Sequence, residues 1–143
     1  MPRWLLYALL SAVSAAFVGI FGKLGMNEVD ANLATAVRSV VMTVLLAAVC
    51  QFTGAWEKAH TLHRKAILMI VLSGIAGAIS WLFYFRAIQV GKISQVAPID
   101  KLSMPFAVLL AVLILRDRPT VWNWIGILFI VGGGYLASLP RPQ

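Results

Sequence analysis

Asp100 and Lys101 stand side by side in the stretch 95–105, Gln-Val-Ala-Pro-Ile-Asp-Lys-Leu-Ser-Met-Pro, which opens an apolar run reaching Leu115. A carboxylate and an ammonium in such a place can offset each other's charge, carry a proton, or meet a charged solute. Pro98 and Pro105 flank the pair and free backbone carbonyls that could accept from a ligand or bind a cation. An ionised group in hydrocarbon costs roughly 2.5–3.5 kcal/mol on insertion scales, so such residues normally face a protein interior or a water-filled path. If 95–101 were instead a loop, only the fourteen residues 102–115 would remain for the span. A hydrocarbon core needs about 20. The length rule therefore favours Asp100, Lys101 and Ser103 inside the membrane segment.

Other polar residues join them. Arg38 lies five residues inside the apolar segment that begins at Leu33. An arginine there either finds a partner within the bundle or stretches its stem back to the interface, and the physics leaves both open. Lys23 closes the first apolar run, where snorkelling to the interface is the simple reading. Trp81 and Tyr84 fall with Gly77 on one face of a helix by periodicity, as an interfacial belt or as part of a site.

The elements that must position these groups are membrane helices. Of the 143 residues, 61% are hydrophobic and 12% charged, with a mean hydropathy of +0.89. Soluble domains average about 25% charged residues. Spans are expected at about 4–22, 33–52, 66–85, 96–115 and 121–139, an all-α integral membrane protein in a single domain over 1–143. The first run is too long and continuous for a cleaved signal peptide, although Arg3 and the small residues 12–16 resemble one. Connections are expected at 26–32, 53–65, 86–94 and 116–120, where Arg116-Asp117-Arg118-Pro119-Thr120 forms a tight turn and proline starts the last helix. Small residues along the first span, in 73–78 and at 132–134 suit close helix packing.

Several functions are excluded by these numbers. The net charge of +7 is distributed over span ends and not along one face, so lipid headgroups explain it and nucleic acid does not. One cysteine, Cys50, permits no internal disulfide or cysteine-based metal cluster. His60 and His63 share a loop with Glu57 only, which reads as a solvated loop with no metal expected. No nucleophile–base pair suggests an enzyme, and no cofactor is called for.

Five spans put the termini on opposite sides. Arg3, Lys58, Arg64, Lys65, Arg116 and Arg118 then share the N-terminal side, against Lys23, Arg86, Lys92 and Arg141 on the other. Six against four leans to a cytoplasmic N-terminus without fixing it. Lys23, Arg38, Trp81, Tyr84, Asp100, Lys101 and Ser103 all lie toward the face opposite the N-terminus. At about 1.5 Å per residue, Arg38 and Asp100 would sit roughly 8 Å below it. The pattern suggests a polar vestibule above an apolar floor, as a transport path would need.

The motifs resemble, in order, one repeat of the EamA type in the drug/metabolite transporter superfamily. They are Phe-Gly-Lys-Leu-Gly at 21–25, Ala-Thr-Ala-Val-Arg at 34–38 and Ser-Trp-Leu-Phe-Tyr-Phe-Arg-Ala at 80–87. Ala-Pro-Ile-Asp-Lys-Leu-Ser follows at 97–103, then Leu-Arg-Asp-Arg-Pro-Thr at 115–120. Two features depart from the usual pattern: Asp117 replaces the customary glutamate, and there is one repeat where most members fuse two. The chain also differs from small multidrug resistance proteins, which have four spans and a carboxylate in the first. The resemblance implies a secondary transporter of small organic solutes in the inner membrane, working by alternating access between inverted repeats. A single five-span chain would obtain its second repeat as an antiparallel homodimer or from a homologous single-repeat chain. Multidrug efflux is the alternative within transport, and a non-transporting membrane subunit the alternative outside it. Asp100 would serve as a proton-coupling group or as the partner of Lys101 or Arg38.

Overall fold

A computed structural model describes residues 2–26 and 28–139. Arg141, counted above among the basic residues, lies outside the described residues. The described residues contain helices and no strand: α1 (Arg3–Gly25), α2 (Ala31–Thr53), α3 (Arg64–Val90), α4 (Ile93–Asp100), α5 (Ser103–Leu110) and α6 (Val121–Ser138). A 3₁₀ helix, Ala55–Thr61, connects α2 to α3, and a π-helical turn, Ala111–Leu115, continues α5. Five segments are long and apolar enough to cross a membrane: α1, α2, α3, the composite Ile93–Leu115, and α6. Most of their large apolar side chains are exposed, as lipid-facing side chains are.

The helix ends follow local chemistry. Asp30 opens α2, its carboxylate accepting from the N–H groups of Asn32 and Leu33 at 2.8 and 3.3 Å. The helix therefore begins at Ala31, two residues before the expected start. Gly54 ends it at φ +67°, a left-handed conformation that costs glycine little. The expected loop 53–65 is largely the 3₁₀ helix, and the Trp56 indole donates back to the Ala47 carbonyl at 3.4 Å.

The third span runs from Arg64 to Val90 and not 66–85, so the expected connector 86–94 shrinks to 91–92. A charge such as Arg86 does not stop a helix. Gly91, at the end of an uninterrupted helix-compatible run, does. Arg116 adopts φ +58° after the π turn, in a position where glycine is common. Thr120 and Asn123 then form a reciprocal capping box that starts α6.

The chain divides into two compact units, 21–89 and the combination of 1–20 with 90–143. In the first, Met26, Ala31, Thr35, Phe85 and Ile88 are buried, so its core gathers where the end of α1, the start of α2 and the end of α3 meet. Gly22 makes that meeting possible: a Cβ there would come within 2.5 Å of the Phe85 ring. In the second unit α4 packs along α6, and α5 touches α6 more lightly. Gly134 lets α6 approach the bend of the fourth span, because a Cβ there would stand 3.1 Å from the Pro98 carbonyl oxygen.

Candidate functional site

In the unit 21–89, α2 carries Arg38 and α3 carries Trp81, Tyr84 and Phe85. The Arg38 guanidinium lies 3.7 Å from the Trp81 ring centroid and 5.1 Å from that of Phe85. Trp81 stacks on Phe85 at 5.5 Å, and Tyr84 meets both rings edge-on at 5.7 Å. Residues 81, 84, 85 and 88 repeat at helical spacing, so α3 turns one aromatic and aliphatic stripe inward. Phe85 and Ile88 are fully covered and anchor that stripe, while Trp81 and Tyr84 are half-buried. Trp81 and Tyr84 thus pack on Phe85, and Trp81 also faces the Arg38 guanidinium. Arg38 is half-buried as well and turns toward the rings instead of stretching to the interface.

The electrostatics of this cluster are unbalanced. A desolvated cation over a tryptophan face gains about 2 kcal/mol. The insertion cost of arginine at mid-span is roughly 2.5–3.5 kcal/mol. Stacking offsets much of that cost and leaves the N–H groups wanting acceptors. Among the described residues of this unit, no carboxylate or carbonyl accepts from the Arg38 guanidinium. On the same helix, Thr35 donates to the Ala31 carbonyl, Ser39 to Thr35 and Thr43 to Ser39, at 2.6, 2.8 and 2.9 Å. These hydroxyls spend their protons inside α2.

Lys23 reaches the last turn of α3. Its ammonium donates to the Ile88 carbonyl, and at 3.3 Å to that of Gln89, in the last turn of α3. This is where a cation best meets a helix dipole and its unpaired carbonyls. Arg86 donates to the Asn32 side chain at 3.0 Å, and Gln89 to the Val29 carbonyl at 3.2 Å. Together these bonds tie the end of α3 to the end of α1 and the start of α2. Within this unit the polar end is thus a packed end. Asn32, Arg86 and Gln89 received no such role from the sequence, because their partners lie 54 to 66 residues away in the chain.

The second cluster sits at the break of the fourth span. Asp100 ends α4 and its carboxylate accepts from the Lys101 ammonium at 3.3 Å. Asp100 is half-buried and Lys101 exposed. The backbone tightens here: Leu102 N–H donates to the Ile99 carbonyl and Met104 N–H to that of Lys101, both at 3.0 Å. Pro98 and Pro105 lack the N–H groups that would continue the ordinary ladder, which accounts for the break. Ser103 opens α5 with its side chain exposed. A loop at 95–101 is ruled out, since 93–100 is helical. An open groove of about 520 Å³ beside Thr61, Leu62, His63, Lys65, Ala66 and Met69 lies at the other end of α3 and contains no member of either cluster.

Five apolar helices, one of them broken at an ion pair, define an all-α, multi-pass membrane protein. The chain matches the EamA-like transporter family over residues 2–139 and belongs to it. It is 38% identical over 136 residues to a Sinorhizobium protein described as an uncharacterized transporter in the cobO 3' region, covering 95% of this chain and 96% of that one. No solved structure matches it. The chain is therefore a membrane transporter of the EamA-like family, a class that points away from catalysis.

Proposed function

We propose that the protein moves a small organic solute across the inner membrane by alternating access, acting as one repeat of an antiparallel pair. The observation that carries this reading is the break of the fourth span at Asp100–Lys101. Ionised groups and an interrupted backbone are tolerated in a bilayer only where they are buried in protein or line a cavity. Discontinuous helices of this kind form the solute and ion sites of many secondary transporters. In this reading Asp100 couples transport to an ion or proton through its pair with Lys101. Arg38, Trp81 and Tyr84 contact the solute, Ser103 lines the path, and Lys23 holds the helix ends that frame it.

A five-span repeat needs a second repeat of opposite orientation. The weak bias of basic residues permits the same chain to insert both ways, so an antiparallel homodimer is the proposed assembly, ahead of a pair with a homologous chain. All five spans belong to the one repeat, over 1–143.

The test is flux into proteoliposomes with a panel of radiolabelled metabolites. Asp100→Asn should insert and fold yet lose uptake at every pH; normal uptake across the pH range would remove the carboxylate from the mechanism. For assembly, Lys58→Cys in a Cys50→Ala background should be labelled from both faces of intact cells. Labelling from one face alone, in cells that express this chain alone and still transport, would eliminate the dual-topology homodimer.

A further inference from the structure

We infer that Arg38 is the receptor for an oxyanion, and that the transported solute carries a carboxylate or phosphate held by the N–H edge of its guanidinium. The inference rests on the transport reading and narrows its substrate class. Its basis is which cations of the molecule are already occupied. Lys23 is spent on the carbonyls of Ile88 and Gln89, and Arg86 on Asn32. Lys101 pairs with Asp100, so an anion arriving there would have to compete with a carboxylate. Asp30 is spent on the first N–H groups of α2. Arg38 alone among these is held by ring faces and, among the described residues of its unit, has no acceptor for its donors.

The mode of holding matters. The guanidinium carbon lies 3.7 Å from the Trp81 centroid. A cation held by a ring face needs no hydrogen-bond acceptor there, so its fork of donors is left for a ligand. A fork already immobilised loses little rotamer freedom when two parallel N–H···O bonds form to a carboxylate or phosphate. The same geometry works against a cationic solute. The tryptophan face that would attract it is covered by arginine, and the two positive charges would repel. The hydroxyls of Thr35 and Ser39 donate within α2, so they do not supplement the fork as donors. The anion's selectivity falls to Arg38 itself.

Binding to the purified full-length protein in phospholipid-free detergent tests this with benzoate, phenyl phosphate, neutral benzamide and cationic benzylamine, read by calorimetry and thermal shift. At least one of the two anions should bind ten-fold or more tightly than benzamide, and benzylamine should not bind. Arg38→Lys should weaken the anion ten-fold or more although the charge is kept, and Arg38→Gln should abolish it. Trp81→Phe should weaken it several-fold, and Lys58→Gln, in the exposed loop, should leave it unchanged.

Equal binding of benzoate and benzamide, binding of neither anion, or retained binding in Arg38→Gln would overturn the proposal. If anionic phosphatidylglycerol raises stability in an Arg38-dependent way while neither small anion binds, the oxyanion is a lipid headgroup and the solute assignment fails. Arg38-dependent anion binding without flux would uphold this inference and sink the transport reading. Flux of a solute lacking any oxyanion, unaffected by Arg38→Gln, would do the reverse.

Discussion

The two charged clusters solve the same problem in opposite ways. In the unit 21–89, a cation is held against a rigid aromatic platform, with no counter-charge among its described neighbours. In the unit formed by 1–20 and 90–143, a carboxylate and an ammonium neutralise each other on a backbone that two prolines have interrupted. The surroundings match. Phe85 and Ile88 are large and fully buried beneath the arginine platform, whereas the buried residues among those described in the other unit are Gly19, Pro105 and Gly134. A fixed platform suits recognition, because it presents donors at a set geometry. A broken helix with small residues against it suits movement, because few side chains must repack when it shifts. Under the proposed transport reading, recognition and coupling fall to residues that can be altered separately.

The sharpest way to break the comparison is to remove the platform's anchor. Phe85→Ala should destabilise the protein by about 3 kcal/mol, near the low end for a buried phenylalanine because lipid offers no hydrophobic driving force to lose. Gly22→Ala attacks the same contact by overpacking and should cost about 1–3 kcal/mol. Phe85→Leu, with its smaller side chain, should recover part of the Gly22→Ala loss. Denaturant titration in detergent checks all three. Additive effects in the Gly22→Ala/Phe85→Leu double variant would mean that the two residues do not share one packed contact.

A smaller effect separates the charges themselves. Asp100→Asn strands the Lys101 ammonium and should cost about 2 kcal/mol, below the full insertion penalty because lysine can stretch toward the interface. Asp100→Asn/Lys101→Gln removes both charges and should regain most of that stability while transport stays lost. Arg38→Gln should differ in sign or size: it gives up the stack but also the desolvated charge, leaving the ligand-free protein within about 1 kcal/mol of wild type. A loss for Arg38→Gln as large as for Asp100→Asn would show that Arg38 has a strong intramolecular partner, and the contrast between the clusters would collapse.

Much of this architecture was legible because membranes impose few solutions. Run length and low charge give five spans, and the pair at 100–101 marks itself by standing inside one. The 81–84 spacing announces an aromatic face. The fourth span, however, reads as one continuous helix over 96–115, whereas it breaks between Asp100 and Ser103, beside Pro98 and Pro105. Helix rotation is what periodicity could not supply: Arg38 turning inward depends on rings 43 to 47 residues further along the chain, and Phe85 reads in sequence like any apolar residue of a span. The end of α3 is not legible at Arg86, which reads as an interfacial charge yet donates to Asn32 from within a helix that continues to Val90. Lys23 looked equally at home in water or in a site. Only the carbonyls of Ile88 and Gln89, brought by a helix two spans later, give it a structural position.

The subtlest effect is expected at Gly134. A methyl group there would stand 3.1 Å from the Pro98 carbonyl oxygen, so the α4–α6 contact must give by a few tenths of an ångström. Backbone cannot swing aside as a side chain can, and the cost should be about 1 kcal/mol. That strain falls on the bend beside Asp100, not on the arginine platform, so its functional consequence should be selective. Gly134→Ala should leave anion affinity within about two-fold of wild type while slowing uptake several-fold, a split between binding and turnover that follows from small residues easing a shift of the broken span. Equal losses in affinity and uptake would place the fourth span in recognition as well as in movement. Unchanged uptake would mean that the close approach at Pro98 serves packing alone.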